Sequence, residues 1–291
     1  MEIADFRTLI ALVEHGGITA AAKILNRVPS AVTTRLQQLE HSLGVSLFVR
    51  EKKRFILTPE GQTLYEHALQ IIALVTTAES QVKGAEPGGK FRLGAMDSMA
   101  ATRLPKPLAA LYRRYSDLEL ELSTGISRFL YESLINNHLD AAFIADAPQD
   151  DRLERVAVFS EELVIVASAG HKAIREPNDI GKSSLLVFRD GCSYRDRFTH
   201  WFHMYDREPA RIAEMTSYHA ILGGISAGMG VGIVPRHILT LFPDLSLISV
   251  HPFNEPSGNV ITELLWRKGR MSANIQALRN EISSIDQENT A

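Results

Sequence analysis

Gly16-Gly17-Ile18-Thr19-Ala20-Ala21-Ala22-Lys23-Ile24-Leu25-Asn26-Arg27-Val28-Pro29-Ser30-Ala31-Val32-Thr33-Thr34-Arg35-Leu36-Gln37-Gln38-Leu39 is the stretch from which the rest of the chain can be read. Just ahead of it Phe6, Leu9, Ile10 and Val13 recur at i, i+3, i+4 and i+7, one face of a helix that Gly16-Gly17 ends. Thr19 offers a side-chain cap for a second helix, Ala20 to Asn26, whose alanines permit close packing. Pro29 then stands at the first turn of a third helix, where its missing N–H costs nothing. Val32, Leu36, Leu39 and Leu43 form one apolar stripe of that helix, and Ser30, Thr33, Thr34, Gln37 and Gln38 fall mainly on the other side. Short helix, tight turn and helix with a small-polar outer face make a helix-turn-helix pattern.

Outward from there, Leu47-Phe48-Val49-Arg50 and Phe55-Ile56-Leu57 read as two short strands joined by a charged tip, a wing. Between Arg27 and Arg54 the cations are Arg27, Arg35, Arg50, Lys52, Lys53 and Arg54, against Glu40 and Glu51 alone. The whole chain carries 31 Lys and Arg against 34 Asp and Glu, a net charge of −3 that hides this basic head. Thr58-Pro59 starts another helix, on which Leu64, Ala68, Ile71, Val75, Ala78 and Val82 follow at spacings of four and three. Such a seam pairs helices side by side, in a homodimer or within its own domain. Gly84 and Pro87-Gly88-Gly89 then read as a linker.

The remainder alternates strands and helices. Phe91 to Gly94, Leu118 to Leu122, Leu139 to Ala145 and Leu163 to Ala167 read as strands, with helices at Leu104 to Tyr115 and around Leu134-Ile135. The alternation restarts at Leu185 to Phe188, then a helix through Trp201-Phe202, a strand near Ile212, a helix from Tyr218 and a strand at Val231 to Val234. Two βαβ blocks predict two α/β lobes with mostly parallel sheets. A length of 291 residues suits about two domains, and a single cysteine excludes an internal disulfide and fits a reducing cytosol. The acidic start Met1-Glu2-Ile3-Ala4-Asp5 is unlike an export signal, and no apolar run reaches membrane-span length. A cytoplasmic protein without membrane contact is the expectation.

These residues carry a resemblance. The chain resembles LysR-type transcriptional regulators along essentially its full length. The head matches at Thr19 to Ala22, Ser30 to Thr33, Leu39-Glu40, Leu43 to Val45, Leu47 to Arg50 and Leu57-Thr58-Pro59-Glu60-Gly61. The rear matches at Leu139 to Phe143, Cys192 to Arg195 and Ala227-Gly228-Met229-Gly230-Val231-Gly232. The family often carries Ser-Gln-Pro-Ala where this chain has Val28-Pro29-Ser30-Ala31, so a base-reading glutamine is replaced by Pro29, which offers only apolar or shape contacts. The expected fold is α/β: an N-terminal winged helix-turn-helix, a long dimerisation helix, and a C-terminal two-lobed α/β effector domain of periplasmic-binding-protein type. The expected divisions are 1–58, 59–90 and 91–291, with lobe I at 91–163 and 265–291 and lobe II at 164–264. The resemblance further implies an inducer pocket between the lobes, tetramers beyond dimers, and RNA polymerase as a partner.

On the DNA side, Thr19, Pro29, Ser30, Thr33 and Thr34 would let a helix approach base edges of double-stranded DNA in a promoter or operator. Arg35 and Gln38 are longer readers, and Arg50, Lys53 and Arg54 would hold phosphates. Charge alone equally suits a solvated face; the resemblance decides for DNA. In the rear, Asp97-Ser98, Thr124 to Ser127, Cys192-Ser193-Tyr194 and Thr216-Ser217 follow strand ends, where ligands of open α/β sheets sit. That set favours a small anionic inducer, with Arg195 or Arg128 as countercharge. Cys192 offers a redox alternative without a resolving partner in the chain.

An esterase is the rival from another class. Gly224-Ile225-Ser226-Ala227-Gly228 matches a nucleophile elbow, with Asp244 and His251 following. The elbow, however, needs a strand before the serine and a helix after it, and here the order is reversed. His200 and His203 lack a clear third metal ligand, so neither catalysis nor a metal or other cofactor is expected.

Overall fold

The computed structural model describes residues 1–51, 54–83, 86–253 and 258–290, with side chains for these except 50, 51, 54, 55, 77, 80, 81, 83 and 285–290. Two compact units divide the chain, Met1–Glu86 with Asn136–His138, and a larger one of Pro87–Ile135 with Leu139–Ala291.

In the first unit α1 (Ile3–His15), α2 (Ile18–Ile24) and α3 (Pro29–Leu43) precede β1 (Phe48–Glu51), β2 (Arg54–Leu57) and α4 (Pro59–Lys83). Phe6, Leu9 and Leu12 of α1 meet Ala21 and Ala22 of α2, Val32, Leu36 and Leu39 of α3, and Leu47 in one apolar core. The helical stripes of the sequence thus close on each other. The strands β1 and β2 pair antiparallel as the predicted wing. Thr19 does not cap α2: Gly17 is the cap, and burying Ile18 against the core starts the helix ahead of the predicted Ala20.

Several of the quoted motifs hold turns in place. Glu40 Oε1 accepts the Leu47 N–H at 2.7 Å, fixing the chain between α3 and β1. The Thr58 hydroxyl donates to the Ser46 carbonyl at 2.8 Å and accepts the Gly61 N–H at 2.9 Å, capping α4. A Cβ on Gly61 would stand 2.1 Å from the Leu47 carbonyl oxygen, so only glycine lets α4 dock there. Docking brings Ala68 into the core of this unit, with Leu64 and Ile71 half-buried against it. The expected division at 58 lies within the unit that contains Met1–Glu86.

The second unit runs β3 (Gly89–Ala95), α5 (Asp97–Thr102), α6 (Pro105–Arg114), β4 (Leu118–Thr124), α7 (Ser127–Ile135), β5 (Ala141–Ala145) and β6 (Leu153–Ser168). It continues with α8 (Pro177–Ile180), β7 (Ser184–Phe188), α9 (Ser193–Met204), β8 (Arg211–Met215), α10 (Tyr218–Ser226) and β9 (Gly230–Pro235). Two 3₁₀ turns lead to β10 (Ile248–Pro252), β11 (Asn259–Arg267) and α11 (Ala273–Thr290). The strands lie in the order β4-β3-β5-β11-β6-β9-β7-β8, with β10 on β6. The trios β4-β3-β5 and β9-β7-β8 are parallel, as expected of two βαβ blocks; we refer to them as lobes I and II.

What joins the lobes is antiparallel. The first part of β6, from Leu153 to Glu162, lies beside β11, and its end pairs with β9 and β10, so one 16-residue strand serves both lobes. Only its apolar end, Leu163 to Ala167, is legible as a strand in sequence. The strand β11 pairs with both β5 and β6, so the expected lobe border at 264/265 cuts a continuous strand. In lobe II a Cβ on Gly230 would meet the Ser184 carbonyl oxygen at 2.2 Å, the close approach that the glycine-rich motif permits between β9 and β7.

Candidate functional site

On α3 the side turned from the core presents Pro29, Ser30, Thr34 and Gln38, all exposed. Two candidates are engaged within the unit: the Thr33 hydroxyl donates to the Pro29 carbonyl at 3.0 Å, and Arg35 pairs with Asp5 at 2.9 Å and Glu2 at 3.5 Å. A concavity of about 590 Å³ between α1 and α3 is lined by Arg7, Arg27, Ser30, Thr34, Arg35 and Gln38 among others. Arg7 is an addition from α1 that the helix-turn-helix spacing does not point to. Thr19 is exposed on α2. Lys53 and the side chains of Arg50 and Arg54 lie outside the described residues. Along α4 the outer part of the seam differs from the docked part: Val75 is half-buried, Ala78 exposed, and Val82 87% exposed.

In the second unit the lobes meet where α7 and α9 begin. Ser127 at the start of α7 and Ser193 at the start of α9 share a hydrogen bond of 3.0 Å, buried. The Arg128 N–H donates to the Gly191 carbonyl at 3.1 Å, and its guanidinium pairs with Asp190 at 2.7 Å. Arg197 of α9 holds Asp146, just past β5, through two bonds of 2.5 Å. A cavity of about 670 Å³ opens beside these contacts, lined by Ser127, Arg128, Ile144, Asp146, Ser193 and Arg197 among others.

Behind them Ser98, Cys192 and Tyr194 are buried together with Tyr218 of α10, which sequence reasoning missed. The Ser98 hydroxyl neighbours both phenols, although neither it nor the Tyr194 hydroxyl makes a well-directed hydrogen bond among the described residues. Burial pushes the Tyr194 and Tyr218 phenols above their ordinary range, because a phenolate there would be stripped of water. Burial likewise pushes the Cys192 thiol up, against the smaller opposing pull of the Arg195 and Tyr194 N–H groups.

The other expected ligand residues differ in burial. Thr124 and Thr216 are exposed, and Asp97 is half-buried. Ser217 caps α10, accepting the Ala220 N–H at 3.2 Å. The proposed countercharges are already occupied: Arg195 holds Glu214 at 2.6 Å and the Phe188 carbonyl at 3.2 Å, and Arg128 holds Asp190.

The hydrolase constellation is scattered. Ser226 ends α10 and donates to the Gly223 carbonyl at 2.8 Å, ahead of β9, so no strand presents it as a nucleophile. His251 instead meets the Ser249 hydroxyl at 2.9 Å, and Asp244 caps the turn at Ser246 at 3.0 Å. Among the described residues no three His, Cys, Asp or Glu side chains gather as a metal site, and no helix is long and apolar enough to cross a membrane.

A wing beside a polar recognition helix, followed by two α/β lobes with a polar cleft, is the arrangement that known proteins can be compared with. The family described as "Bacterial regulatory helix-turn-helix protein, lysR family" matches residues 3–62, and that described as "LysR substrate binding domain" matches residues 84–284. The chain belongs to the LysR family of transcriptional regulators.

Relatives agree over the full length of this LysR-family regulator. The HTH-type transcriptional regulator YusT of Bacillus subtilis (strain 168) is 34% identical over 296 residues, 100% of this chain and 97% of that protein. The HTH-type transcriptional regulator SoxR of Arthrobacter sp. (strain TE1826) is 31% identical, covering 98% of this chain and 96% of that one. In fold, the chain is similar to a full-length OxyR variant from Pseudomonas aeruginosa, with a TM-score of 0.79 at 21% identity over 97% of this chain and 94% of that one. It is also similar to CbnR, solved in complex with its target DNA, with a TM-score of 0.66 at 23% identity over 98% and 99%. The chain is thus a DNA-binding regulator with an effector-binding domain, and not an enzyme.

Proposed function

We propose that this LysR-family regulator binds a pseudo-palindromic operator as a dimer, assembling to a tetramer, and answers a small anionic inducer held between lobes I and II. The observation that carries the inducer half is the meeting of two helix N-termini at the Ser127–Ser193 bond, beside the cavity of about 670 Å³. Each N-terminus carries roughly half a positive charge, and Arg128 and Arg197 stand in the same lining. An anion there competes with Asp190 and Asp146 for the two guanidinium groups, so its arrival loosens one set of inter-lobe bonds while making another. Burial of Cys192 weighs against the redox alternative, since a protonated thiol is a poor nucleophile.

The DNA half rests on Arg7, Arg27, Ser30, Thr34 and Gln38 around one concavity, with the wing cations beside it in sequence. The outer α4 positions Ala78 and Val82 supply the pairing surface, and RNA polymerase is the further partner in the cytoplasm. Footprinting on the protein's own upstream region, with and without candidate carboxylates, tests the whole reading. Arg7→Ala with Arg27→Ala should lower the slope of log affinity against log salt by about 2, one for each lost phosphate contact. An unchanged slope and footprint would remove the DNA face from α1 and α3. Carboxylates that leave the footprint and the melting temperature unmoved would remove the anion.

A further inference from the structure

Glu161 is an uncommon residue to find where it lies. It sits on β6, 2% exposed, just ahead of the apolar run Leu163 to Ala167. One of its carboxylate oxygens accepts from Arg103 Nε at 2.7 Å; the other has no hydrogen-bond partner among the described residues. A buried carboxylate oxygen without a donor is costly, far more so than an unpaired hydroxyl. It therefore points to a donor that arrives from outside.

The neighbourhood has the same character. On β11, Val260 stands opposite Glu161 and Thr262 opposite Phe159, so Thr262 shares the sheet face with Glu161 one diagonal step away. Its hydroxyl is fully buried and also without a partner among the described residues. Arg103, at the end of α5, closes this face from above, its guanidinium over the Phe159 ring. Two buried polar groups on the strands that join the lobes, Glu161 and Thr262, thus lack partners among the described residues, and one of them can only accept.

We propose that the effector of this protein carries a protonated amine, taken by the unpartnered oxygen of Glu161 with the Thr262 hydroxyl beside it. The proposal rests on the inter-lobe reading above and makes the inducer a zwitterion, not a simple anion. The two poles are joined through β5: Thr262 pairs with Ala145, whose neighbours Ile144 and Asp146 line the cavity, and the Met96 sulfur accepts the Ala145 N–H at 3.2 Å and lies 3.7 Å from the Ser127 hydroxyl. An acid group at Ser127 and Ser193 and an amine at Glu161 define a small amino acid or a molecule of that pattern. Arg103 aims Glu161 without consuming both of its oxygens.

The test is calorimetric titration of the full chain with the common L-amino acids and, in parallel, with matched carboxylates that lack the amine, such as succinate for aspartate and glutarate for glutamate. At least one amino acid should bind, with its amine-free counterpart at least about tenfold weaker, the worth of a charge-assisted hydrogen bond. Glu161→Gln should weaken that amino acid by a similar factor, and Thr262→Val, which keeps shape and removes the hydroxyl, by several-fold. Circular dichroism of each variant without ligand reports its folding, and Thr262→Val carries the test if Glu161→Gln does not fold. Equal binding of the amine-free partner, unchanged affinity in the folded variants, or no response to any amino acid overturns the proposal. A carboxylate whose binding is lost in Ser127→Ala and kept in Glu161→Gln overturns the amine alone and leaves the inter-lobe site standing. Binding indifferent to Ser127→Ala, Ser98→Ala and Glu161→Gln overturns both.

Discussion

Ala68→Glu separates two roles that one heptad-like seam allows. Ala68 is 0% exposed in the core that holds Phe6, Leu9, Leu12 and Leu36. A glutamate there adds side-chain bulk, which costs about 1–3 kcal/mol in a packed core. It also strips a carboxylate of water without a partner, a further cost of several kcal/mol. The sum, about 4 kcal/mol or more, is a large part of the roughly 5–15 kcal/mol that hold a domain folded. The same change at Val82, 87% exposed, should alter stability by about 0.5 kcal/mol or less. If the outer seam pairs two chains, Val82→Glu with Ala78→Glu weakens the dimer at least about tenfold, because like charges then face each other.

The assays must see the two units apart. Both tryptophans, Trp201 and Trp266, lie in the second unit, so their fluorescence follows the sensor. Hydrogen exchange along α1 to α4 follows the head. Ala68→Glu should erase protection in the head and leave the tryptophan melt in place, whereas Val82→Glu with Ala78→Glu should shift only the sedimentation coefficient. A protected head in Ala68→Glu would refute the packing argument. An unchanged sedimentation coefficient in the double variant would refute the pairing surface.

Thr58→Ala removes both the Gly61 cap and the bond to Ser46, and should cost the head about 1–2 kcal/mol, read as earlier exchange at the start of α4. His251 is buried beside His171, and both burial and that neighbour hold its pKa below the ordinary 6.5. The unfolded chain therefore takes up this proton first, so the contribution is intact above about pH 6.5 and falls as pH drops below it, by at most about 1.4 kcal/mol per unit. Melting of His251→Gln between about pH 7.5 and 5.5, a window that brackets the ordinary histidine pKa, should show a smaller loss than the parent, and equal losses would clear His251. Cys192, buried and with its thiol pushed up, should alkylate with iodoacetamide more slowly in the native chain than in urea by on the order of tenfold or more. Labelling at equal rates would reopen the redox reading.

Local features of this chain were legible in sequence because their causes are local. The stripe Val32, Leu36 and Leu39 is buried as its spacing predicts, and Pro29 opens α3. Ser98, Ser127, Ser193 and Tyr194, picked out by their place after strand ends, are buried where the lobes meet. Partners far along the chain were not legible. Nothing near Arg35 announces Asp5, and nothing near Arg195 announces Glu214, yet those pairs decide how free each cation is. Seam spacing on α4 is the same whether a helix meets its own head or a second copy, and only burial separates Ala68 from Val82. Leu153 to Glu162 lacks the unbroken apolar run of Leu163 to Ala167, so half of β6 went unread, and Glu161 with it. The pair Glu161-Glu162 directly ahead of a continuous buried run was the available signal.

The balance of the inter-lobe contacts bounds how an inducer can work. The Arg128–Asp190 pair is more than half exposed on both sides, which limits it to about 0–1 kcal/mol. Arg197–Asp146 is bidentate and mostly buried on the arginine side, the Ser127–Ser193 bond is buried, and the Arg128 N–H bonds the Gly191 carbonyl, so these three carry most of the polar hold described between the lobes. With the Arg128–Asp190 pair, the four together amount to a few kcal/mol. Driving a two-state equilibrium from 1:99 to 99:1 takes about 5.5 kcal/mol of differential binding, the same order as the hold itself. A ligand that touches only one lobe binds open and closed arrangements alike and shifts nothing. One that replaces the Ser127–Ser193 bond and draws Arg197 from Asp146 exchanges the main contacts of closure for its own. Inducer specificity and lobe position are then set by the same few atoms, and a variant such as Asp146→Asn, which weakens the carboxylate hold on Arg197, should raise inducer affinity while weakening the response that binding evokes.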